Sequence, residues 1–466
     1  MALPTDFVTR TQALLSEAYP LFEAALQTTP PVSLRINKAK GTTIPQGGNP
    51  VAWCETGFYL PERLTFTFDP LFHAGAYYVQ EASSMFLEQV IQAYVKEPVR
   101  CLDLCAAPGG KSTLLAGCLP KGSLLVSNEV IRSRSYVLAE NMAKWGNPNC
   151  VVLNNDPAAI GEALPHFFDL VVADVPCSGE GMFRKDSDST GEWSVEHVQL
   201  CAARSRRIIH DVWEALKPGG LLVYSTCTYN TEEDEENIHY LVETFGAESL
   251  IVPIPEAWQI CGPLRHEHPV YRFFPHRIPG EGFFLAVLRK KEEEISPRKT
   301  KRKKEKGKAT PAIPAQATHY LQEPECFQFV WRGTQLIAYP KALAEPIQQL
   351  IDSSLRPLSM GIFLGELKGK DLIPSEELAL STALNPEAFP KVELTWEEAI
   401  RYLRKEAITL PLEVPRGNVI VSYQGYPLGF VKHLGNRSNN LYPAEWRIRS
   451  SHLPEEVKLF DADETK

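Results

Sequence analysis

Short apolar runs alternate with longer amphipathic stretches through the middle of the chain, beginning near Val99. Short apolar runs bounded by turn residues are typical of buried strands, and the stretches between them are typical of helices. The runs predict strands at 99–105, 122–130, 150–154, 169–174, 221–226 and 282–288. The stretches predict helices at 111–118, 132–145 and 194–216. A further helix is predicted to start near Thr231, which caps its N-terminus together with Asp234 three residues later. This alternation indicates an α/β fold whose parallel sheet is covered by helices on both faces.

The regions on either side of the alternating core have different patterns. Residues 1–75 combine a helical opening at 7–26 with short strand-like runs at 31–36 and 52–60, which predicts a small α+β domain. Residues 317–466 contain β-type runs with Gly turns at 360–367 and 418–434, which predicts a β-rich module. Between the core and this module, residues 291–316 are charged and then rich in Pro and Ala, so we expect a basic flexible linker there. The core domain is then predicted to span 76–290.

Composition narrows the class of protein and its location. A chain of 466 residues is too long to fold around one ordinary hydrophobic core, so we expect more than one domain. A composition of 44% hydrophobic and 23% charged residues is typical of soluble globular domains. Ten cysteines without a C-x-x-C pair exclude a disulfide scaffold and disfavour a zinc site, so we expect no metal. The chain shows no export signal and no apolar run of membrane-spanning length. We therefore expect a cytoplasmic protein with reduced thiols and no membrane partner.

Charge is distributed unevenly along the chain. The formal net charge is −9, yet residues 289–308 carry eleven Lys or Arg against four Glu. Because binding to nucleic acid depends on local patches, the average does not decide whether the partner is RNA.

A loop of small residues, Asp103–Ser112 (DLCAAPGGKS), joins the first predicted core strand to the first core helix. Small residues let the backbone approach a ligand closely, and a helix N-terminus offers free amides. The segment Gly110–Thr113 resembles the end of a phosphate loop. However, Cys105 stands where that motif requires Gly, and Pro108 lacks an N–H. The loop therefore favours a cofactor without phosphate, bound through hydroxyls, an amine and a carboxylate.

Two acidic residues follow the next two predicted strands. Glu129 ends the second strand, where an acid in a doubly wound fold accepts hydrogen bonds from a ribose diol. Asp156 lies just past the third strand and is placed to accept a hydrogen bond from an adenine amine. The alternative for each residue is a helix cap or a solvated turn.

Two cysteines lie just past two predicted strands that end at the same edge of the sheet. Cys177 stands in DVPCSG and Cys227 in STCT, and ligands gather at the carboxyl ends of such strands. Carbon 5 of a pyrimidine becomes nucleophilic only after a group such as a thiolate adds to carbon 6. A base must then remove the carbon 5 proton, and an acid near N3 would stabilise the adduct. Asp174, Cys177 and Cys227 can supply these roles, and the positive end of the helix near Thr231 would favour a thiolate at Cys227.

Spacing does not decide which of the two thiols attacks. A free cysteine is most often a buried small hydrophobe, and we apply that interpretation to the remaining core cysteines. These are Cys101, Cys118, Cys150 and Cys201.

Three long motifs resemble those of the bacterial RNA cytosine-5 methyltransferases: 103–112, 174–184 (DVPCSGEGMFR) and 225–237 (STCTYNTEEDEEN). The chain is most similar to the subgroup that modifies 16S ribosomal RNA and ends in a PUA-like domain. SLRIN at 33–37, HAGAYYVQEASSM at 73–85 and NLYPAEWR at 440–447 extend the similarity.

The resemblance implies a Rossmann-like class I methyltransferase core, S-adenosylmethionine as cofactor, and 16S rRNA or the small ribosomal subunit as partner. It implies Cys227 as the nucleophile and Cys177 as the residue that aids product release. The implied cofactor contacts are Cys105, Ala106, Ala107, Pro108, Gly109, Gly110, Lys111, Glu129, Asp156 and Asp174.

A base paired within a helix cannot present carbon 6 to a thiol, so we expect an unpaired or flipped target. Residues Phe183, Arg184 and Lys185 at the lip of the Cys177 loop are candidates for stacking and phosphate contacts. An RNA-facing strip is expected in the C-terminal module, with a solvated edge as the alternative. Its cations are Lys432, Arg437, Arg447 and Arg449.

We expect this methyltransferase to be a monomer. Two other functions fit the same fold. An amino-group methyltransferase acting on RNA or protein needs no thiol, so it would remain active after Cys227→Ser. A non-enzymatic RNA-binding assembly factor would not bind S-adenosylmethionine.

Overall fold

The computed structural model describes residues 3–185, 187–292, 312–450 and 452–460. The predicted linker at 291–316 lies mostly outside these residues, so its flexibility stays a prediction. Within the described ranges, every helix is too short or too polar to cross a membrane.

The N-terminal region forms a small antiparallel sheet with flanking helices, in agreement with the predicted α+β domain. Its helices are α1 (Thr5–Leu15), α2 (Tyr19–Leu26) and α3 (Pro70–His73). Its strands, in the spatial order β2-β3-β1-β4, are β1 (Val32–Ile36), β2 (Asn49–Pro50), β3 (Gly57–Leu60) and β4 (Tyr77–Val79). The helical opening predicted at 7–26 is confirmed and is divided into α1 and α2, because Ser16 adopts a φ of 49°, which a right-handed helix cannot continue.

The central region follows the predicted alternation of strands and helices. Its helices are α4 (Leu87–Tyr94), α5 (Gly110–Cys118), α6 (Arg132–Trp145), α7 (Pro157–Ala163), α8 (Ser187–Glu192), α9 (Val195–Val212) and α10 (Glu235–Phe245). Its strands are β5 (Arg100–Asp103), β6 (Leu124–Asn128), β7 (Cys150–Leu153), β8 (Phe168–Asp174), β9 (Leu216–Thr226), β10 (Glu248–Ser249), β11 (Tyr271–Phe273) and β12 (Phe283–Arg289).

Five strands pair in parallel in the order β9-β8-β5-β6-β7, which confirms the Rossmann-like core. The sheet also has an antiparallel edge that the prediction lacked. Strand β12 pairs antiparallel with β9 on one side and with β11 on the other, and residues 274–282 connect β11 to β12. The helix expected from Thr231 begins only at Glu235, so residues 231–234 form a turn that precedes it.

The C-terminal region contains two four-stranded sheets instead of one module. Its helices are α11 (Ala315–Thr318), α12 (Ala344–Asp352), α13 (Glu376–Leu380) and α14 (Trp396–Leu403). One sheet has the order β13-β14-β16-β17, with β13 (Phe327–Arg332), β14 (Gln335–Pro340), β16 (Ile362–Lys368) and β17 (Asp371–Pro374). The other is β18 (Lys391–Glu393), β19 (Gly417–Tyr423), β20 (Tyr426–His433) and β21 (Ser438–Asn440).

Part of this region packs directly on the central sheet. Strand β15 (Pro357–Met360) pairs antiparallel with β7 and so extends the core sheet at its edge. Ile337, Leu350 and Met360 lie in the same buried cluster as Val151 of β7 and Val171 of β8. Residues after the linker are therefore held by the core itself and not only by the covalent connection.

The C-terminal end also contacts the N-terminal sheet. The ring of Phe460 stacks on Tyr77 of β4, with ring centroids 5.0 Å apart. The Phe460 N–H donates to Asp69, whose other carboxylate oxygen caps α3. Trp396 of α14 donates its indole N–H to the Phe68 carbonyl at 3.0 Å. These contacts place the β-rich module against both preceding regions.

A buried carboxyl lies where these regions meet. Glu376 begins α13, and Tyr402 of α14 donates a 3.4 Å hydrogen bond to its Oε2, while Oε1 has no partner among the described residues. Burial raises the pKa of Glu376 to about 8, despite the nearby charge of Lys144. The folded protein therefore favours the protonated form of this side chain.

We predict that Glu376→Gln changes the pH dependence of stability. A carboxyl whose pKa is raised on folding stabilises below its ordinary pKa and loses that contribution as pH rises towards about 8. Between about pH 5 and about pH 8, the free energy of unfolding of the variant is therefore expected to rise relative to that of wild type, by at most about 1.4 kcal/mol per pH unit. Denaturant unfolding at several pH values measures this. Glu397→Gln, on an exposed position of α14, serves as control and should show no such trend.

Candidate active site

The two thiols predicted to meet at the sheet edge do meet. Strands β8 and β9 are parallel neighbours, with Asp174 opposite Ser225 at their carboxyl ends. The chain continues from each strand into a loop, and the sulfurs of Cys177 and Cys227 lie 3.2 Å apart. The Cys227 N–H also points at the Cys177 sulfur, at 3.3 Å. Both cysteines are free and partly exposed, so a ligand entering at this edge can reach them.

The environment of Cys177 keeps its thiol protonated. The hydrogen bond with Cys227, followed by burial, raises the pKa of Cys177 well above its ordinary value. A thiol that is held protonated can donate a hydrogen bond to the sulfur beside it.

Asp174, Lys111 and Ser225 form a charged cluster beside the thiols. The Lys111 ammonium lies 2.8 Å from Asp174 Oδ2, and the Ser225 hydroxyl donates to Oδ1 at 2.7 Å. Burial opposes the charge on Lys111, but Asp174 outweighs it and raises the pKa of the ammonium. The aspartate is thereby fixed in position while it remains partly open to a ligand.

The small-residue loop lies between β5 and α5, as predicted, and its backbone is held from three sides. Asn128 at the end of β6 accepts a hydrogen bond from the Ala106 N–H at 2.8 Å. Arg134 donates to the Ala107 carbonyl at 2.8 Å, and Asn141 donates to the Pro108 carbonyl at 2.7 Å. Gly109 has a φ of 120°, which an L-residue rarely adopts, so a glycine is required at this point.

Glu129 and Asp156 lie where the sequence predicts them, but in different surroundings. Glu129 is buried just past β6. Its Oε1 accepts the Ile131 N–H at 2.8 Å, and Arg134 lies 3.6 Å from Oε2. Asp156 is exposed and caps α7, accepting the Ala158 N–H at 3.0 Å. Asp156 therefore does act as a helix cap, which was the alternative for it, and it uses one of its two carboxylate oxygens to do so.

Sequence reasoning missed Asp103 as a site residue. It ends β5 fully buried, and the Ser112 hydroxyl donates to its Oδ2 at 2.6 Å, whereas Oδ1 has no partner among the described residues. Burial raises the pKa of Asp103 to about 7. An unsatisfied buried acceptor beside the loop fits a cofactor that carries amine and hydroxyl donors. The signal was an acidic residue at the carboxyl end of a buried strand.

The proposed RNA contacts at the lip of the Cys177 loop need correction. Phe183 is buried and packs edge-on against Phe7 of α1, with centroids 5.0 Å apart, so it is not free to stack on a base. Arg184 forms a two-point ion pair with Glu281, both at 3.0 Å, and also donates to the Ala25 carbonyl. Both residues fasten the N-terminal helices to the core.

The remaining predicted RNA contacts lie nearer the surface. Lys185 is partly exposed, 3.9 Å from Glu281. In the C-terminal module, Arg437, Arg447 and Arg449 are exposed, while Lys432 lies 3.7 Å from Asp371. In the part of the chain that the structure describes, His, Cys, Asp and Glu side chains form no group suited to a metal ion.

A doubly wound sheet with this loop, and with an acid at the end of its second strand, defines a Rossmann-like methyltransferase. A solved structure described as a methyltransferase homolog protein from Pyrococcus horikoshii is 28% identical, with a TM-score of 0.52 over 62% of this chain and 95% of that chain. The structure of NSun6 from the same organism with SFG has a TM-score of 0.52 at 19% identity and shares the fold, covering 62% of this chain and 99% of that chain.

Family models match three parts of the chain: the N-terminal domain of 16S rRNA methyltransferase RsmF at 3–82, 16S rRNA methyltransferase RsmB/F at 91–289, and the RsmF PUA domain at 389–448. The chain is 34% identical to "Ribosomal RNA small subunit methyltransferase F" of Aliivibrio fischeri (strain MJ11), covering 87% of this chain and 86% of that one. The protein of the same name from Escherichia coli O9:H4 (strain HS) is 33% identical, covering 91% and 92%.

The chain therefore belongs to the RsmB/F family of RNA methyltransferases. It is an S-adenosylmethionine-dependent RNA cytosine-C5 methyltransferase with a C-terminal PUA domain.

We predict that Arg184→Met destabilises the fold without affecting the ionic component of RNA binding. The Arg184 and Glu281 side chains are 5% and 3% exposed, so removing one partner leaves a buried charge and is expected to cost about 3–5 kcal/mol in the free energy of unfolding. Lys185→Met, at a partly exposed position, is the control and is expected to cost less than about 1 kcal/mol. If Arg184 contacted phosphate instead, the slope of log affinity against log salt would fall by about one.

Proposed function

We propose that this enzyme methylates carbon 5 of a flipped-out cytosine in 16S ribosomal RNA through a covalent bond between Cys227 Sγ and carbon 6. The observation that carries the proposal is the pair of free sulfurs 3.2 Å apart at the ends of β8 and β9, beside the fixed carboxylate of Asp174. A single pyrimidine ring can contact both sulfurs at that separation. An amino-group methyltransferase would have no use for such a pair.

In the first step, Cys227 Sγ forms a bond to carbon 6, and the electron density that shifts to carbon 5 makes that carbon nucleophilic. S-adenosylmethionine, when bound, supplies the methyl group as an electrophile. Asp174 accepts a hydrogen bond from the exocyclic amine of the base, which orients the ring and stabilises the adduct, while Lys111 and Ser225 hold the carboxylate in place. A water molecule admitted at this partly open edge accepts the proton from carbon 5, the electron pair re-forms the ring double bond, and the electron pair of the bond between carbon 6 and sulfur returns to Cys227.

The two thiols have different roles in this scheme. Cys227 attacks, and Cys177 assists the last step, in which the proton leaves carbon 5 and Cys227 is expelled. The geometry supports the role of Cys177, because its thiol lies 3.2 Å from the Cys227 sulfur and can donate a hydrogen bond to that sulfur as it is expelled.

The cofactor would be held by the loop Cys105–Lys111, by Glu129 and Asp156 and by Asp174, with Asp103 added from the structure. The buried Glu129 carboxylate and the unsatisfied Asp103 Oδ1 support this assignment, since both present acceptors beside the loop. Asp156 has one oxygen left for the cofactor after it caps α7.

The substrate is assigned from the relatives, which are described as small-subunit ribosomal RNA methyltransferases, and from the PUA domain. We propose that the enzyme acts in the cytoplasm, on the rRNA or on the small subunit that contains it. It would act as a monomer, since one chain supplies the loop, the acids and both thiols.

We predict opposite effects for the two cysteines. Cys177→Ala is expected to let a covalent enzyme–RNA adduct accumulate, because the adduct forms but is not resolved. Cys227→Ala is expected to abolish both adduct and turnover. A denaturing gel of each variant with 16S rRNA and S-adenosylmethionine measures this. The reverse pattern would exchange the two roles, and methylation that survives Cys227→Ser would favour an amino-group methyltransferase.

We also predict that Glu129→Gln weakens S-adenosylmethionine binding about 10- to 100-fold, because a charged acceptor for the ribose is replaced by a neutral one. Gln still accepts the Ile131 N–H, so the fold is expected to persist. Calorimetric titration measures the affinity, with the exposed Glu162→Gln on α7 as control. An unchanged affinity would remove Glu129 from the cofactor site, and a protein that binds no S-adenosylmethionine at all would favour the assembly-factor alternative.

A further inference from the structure

Each of the two loops that carry the thiols donates backbone N–H groups to a buried carboxylate of the other loop. Glu180, in the loop after β8, accepts the N–H groups of Tyr229 and Asn230 in the loop after β9, at 2.8 and 2.9 Å. Glu233, in the loop after β9, accepts the Ser178 N–H at 2.9 Å in return. The two residues are 2% and 0% exposed. Each loop therefore depends on the other for the hydrogen bonds of its backbone.

One amide lies between the two carboxylates. Asn230 Nδ2 is 3.1 Å from Glu180 Oε1 and 2.7 Å from Glu233 Oε1, and its Oδ1 accepts the Glu233 N–H at 2.9 Å. The hydroxyls of Ser178 and Thr228, one from each loop, hydrogen-bond at 3.1 Å beside it. Buried networks of this kind fix geometry only while every member is satisfied.

The two sulfurs are not held equally firmly. Cys227 follows directly after β9, which is paired with β8 on one side and with β12 on the other. Cys177 lies three residues beyond β8 in a loop without regular strand or helix pairing, before the short turn at Glu180–Met182. The bond from Ser178 N–H to Glu233 fixes the peptide group directly after Cys177. Loss of Glu233 should therefore displace Cys177 more than Cys227.

We infer that Glu233 is a positioning residue that holds the Cys177 thiol against Cys227 for the step that resolves the covalent adduct. This inference rests on the proposed function, since it assigns a role within that reaction. Glu233 is fully buried and does not touch the substrate, so it acts through the backbone of Ser178.

The electrostatics of Glu233 support this role. Burial raises its pKa to about 7, and the hydrogen bonds from Ser178 and Asn230 oppose that shift. Among the described residues, no Lys or Arg forms an ion pair with it. The donors of the two loops thus oppose the effect of burial on this carboxyl group, and the carboxyl group joins the two loops.

Glu235 provides a matched control two residues away. It is also 0% exposed, but it pairs with Arg272, which donates to it through Nε at 2.7 Å, and also accepts the Leu264 N–H. Neither contact involves the loop that carries Cys177. A change at Glu235 therefore tests what loss of a buried carboxylate does in general.

The test compares Glu233→Gln and Glu235→Gln with wild type, Cys177→Ala and Cys227→Ala in the full-length protein. Each is incubated with 16S rRNA transcript and S-adenosylmethionine. Covalent adduct is read on a denaturing gel, turnover from methyl incorporation, and folding from the thermal unfolding midpoint. The Gln side chain keeps the shape of Glu233 but cannot accept from both Ser178 and Asn230.

We expect Glu233→Gln to lower turnover about 10- to 100-fold while adduct accumulates, as in Cys177→Ala, because a displaced Cys177 no longer assists release. Glu235→Gln is expected to lower the unfolding midpoint without accumulation of adduct. If Glu233→Gln does not fold, Glu233→Asp, whose carboxylate is one methylene shorter and no longer reaches the Ser178 N–H, is expected to show the same accumulation.

Loss of adduct in proportion to turnover, in Glu233→Gln or in its substitute, would overturn the inference. The inference would also be overturned if Glu233→Gln and Glu235→Gln behaved alike in adduct formation and turnover. Absence of adduct in Cys177→Ala would instead show that the proposed function is wrong, and the inference would fall with it.

Discussion

The parallel pairing of β8 with β9 is the constraint on which the rest of the active site depends. Because Asp174 stands opposite Ser225 in that ladder, the chain leaves both strands at the same edge of the sheet. The two sulfurs then meet at 3.2 Å without a covalent bond between them. The cofactor loop leaves the neighbouring strand β5 at the same edge, and Lys111 at the start of α5 reaches Asp174. One backbone register thus brings nucleophile, helper thiol, carboxylate and cofactor loop together.

Burying charge around these loops is costly unless every charge is paired. The three acidic residues at 233–235 are compensated in two different ways. Glu235 and Asp234 share the buried Arg272, whereas Glu233 relies on neutral donors, the Ser178 N–H of the opposite loop and the Asn230 amide of its own loop. The same principle applies to Arg184 and Glu281, which join the N-terminal helices to the core. Polar contacts with strict geometry therefore hold the parts of the molecule whose positions matter for chemistry.

Much of the core and of the site could be predicted from the sequence. Apolar runs and their turn residues indicate β5 to β9, and the placement of Cys177 and Cys227 after two of them indicates their meeting. Contacts between distant residues could not be predicted in this way. The pairing of β15 with β7 joins residues some 200 positions apart, and the buried ion pairs of Asp234 and Glu235 depend on Arg272, which belongs to a separate strand. Phe183 looked like a stacking platform for the same reason, since Phe7 covers it.

The identity of the attacking sulfur tests the account most directly. A 16S rRNA transcript that contains 5-fluorocytidine traps the adduct, because fluorine takes the place of the proton that must leave carbon 5. After incubation with S-adenosylmethionine and digestion with protease and nuclease, mass spectrometry identifies the peptide attached to the base. The account predicts the peptide that contains Cys227, carrying a methylated fluoropyrimidine. Attachment at Cys177, or no attached peptide in enzyme that is active on ordinary RNA, would contradict it.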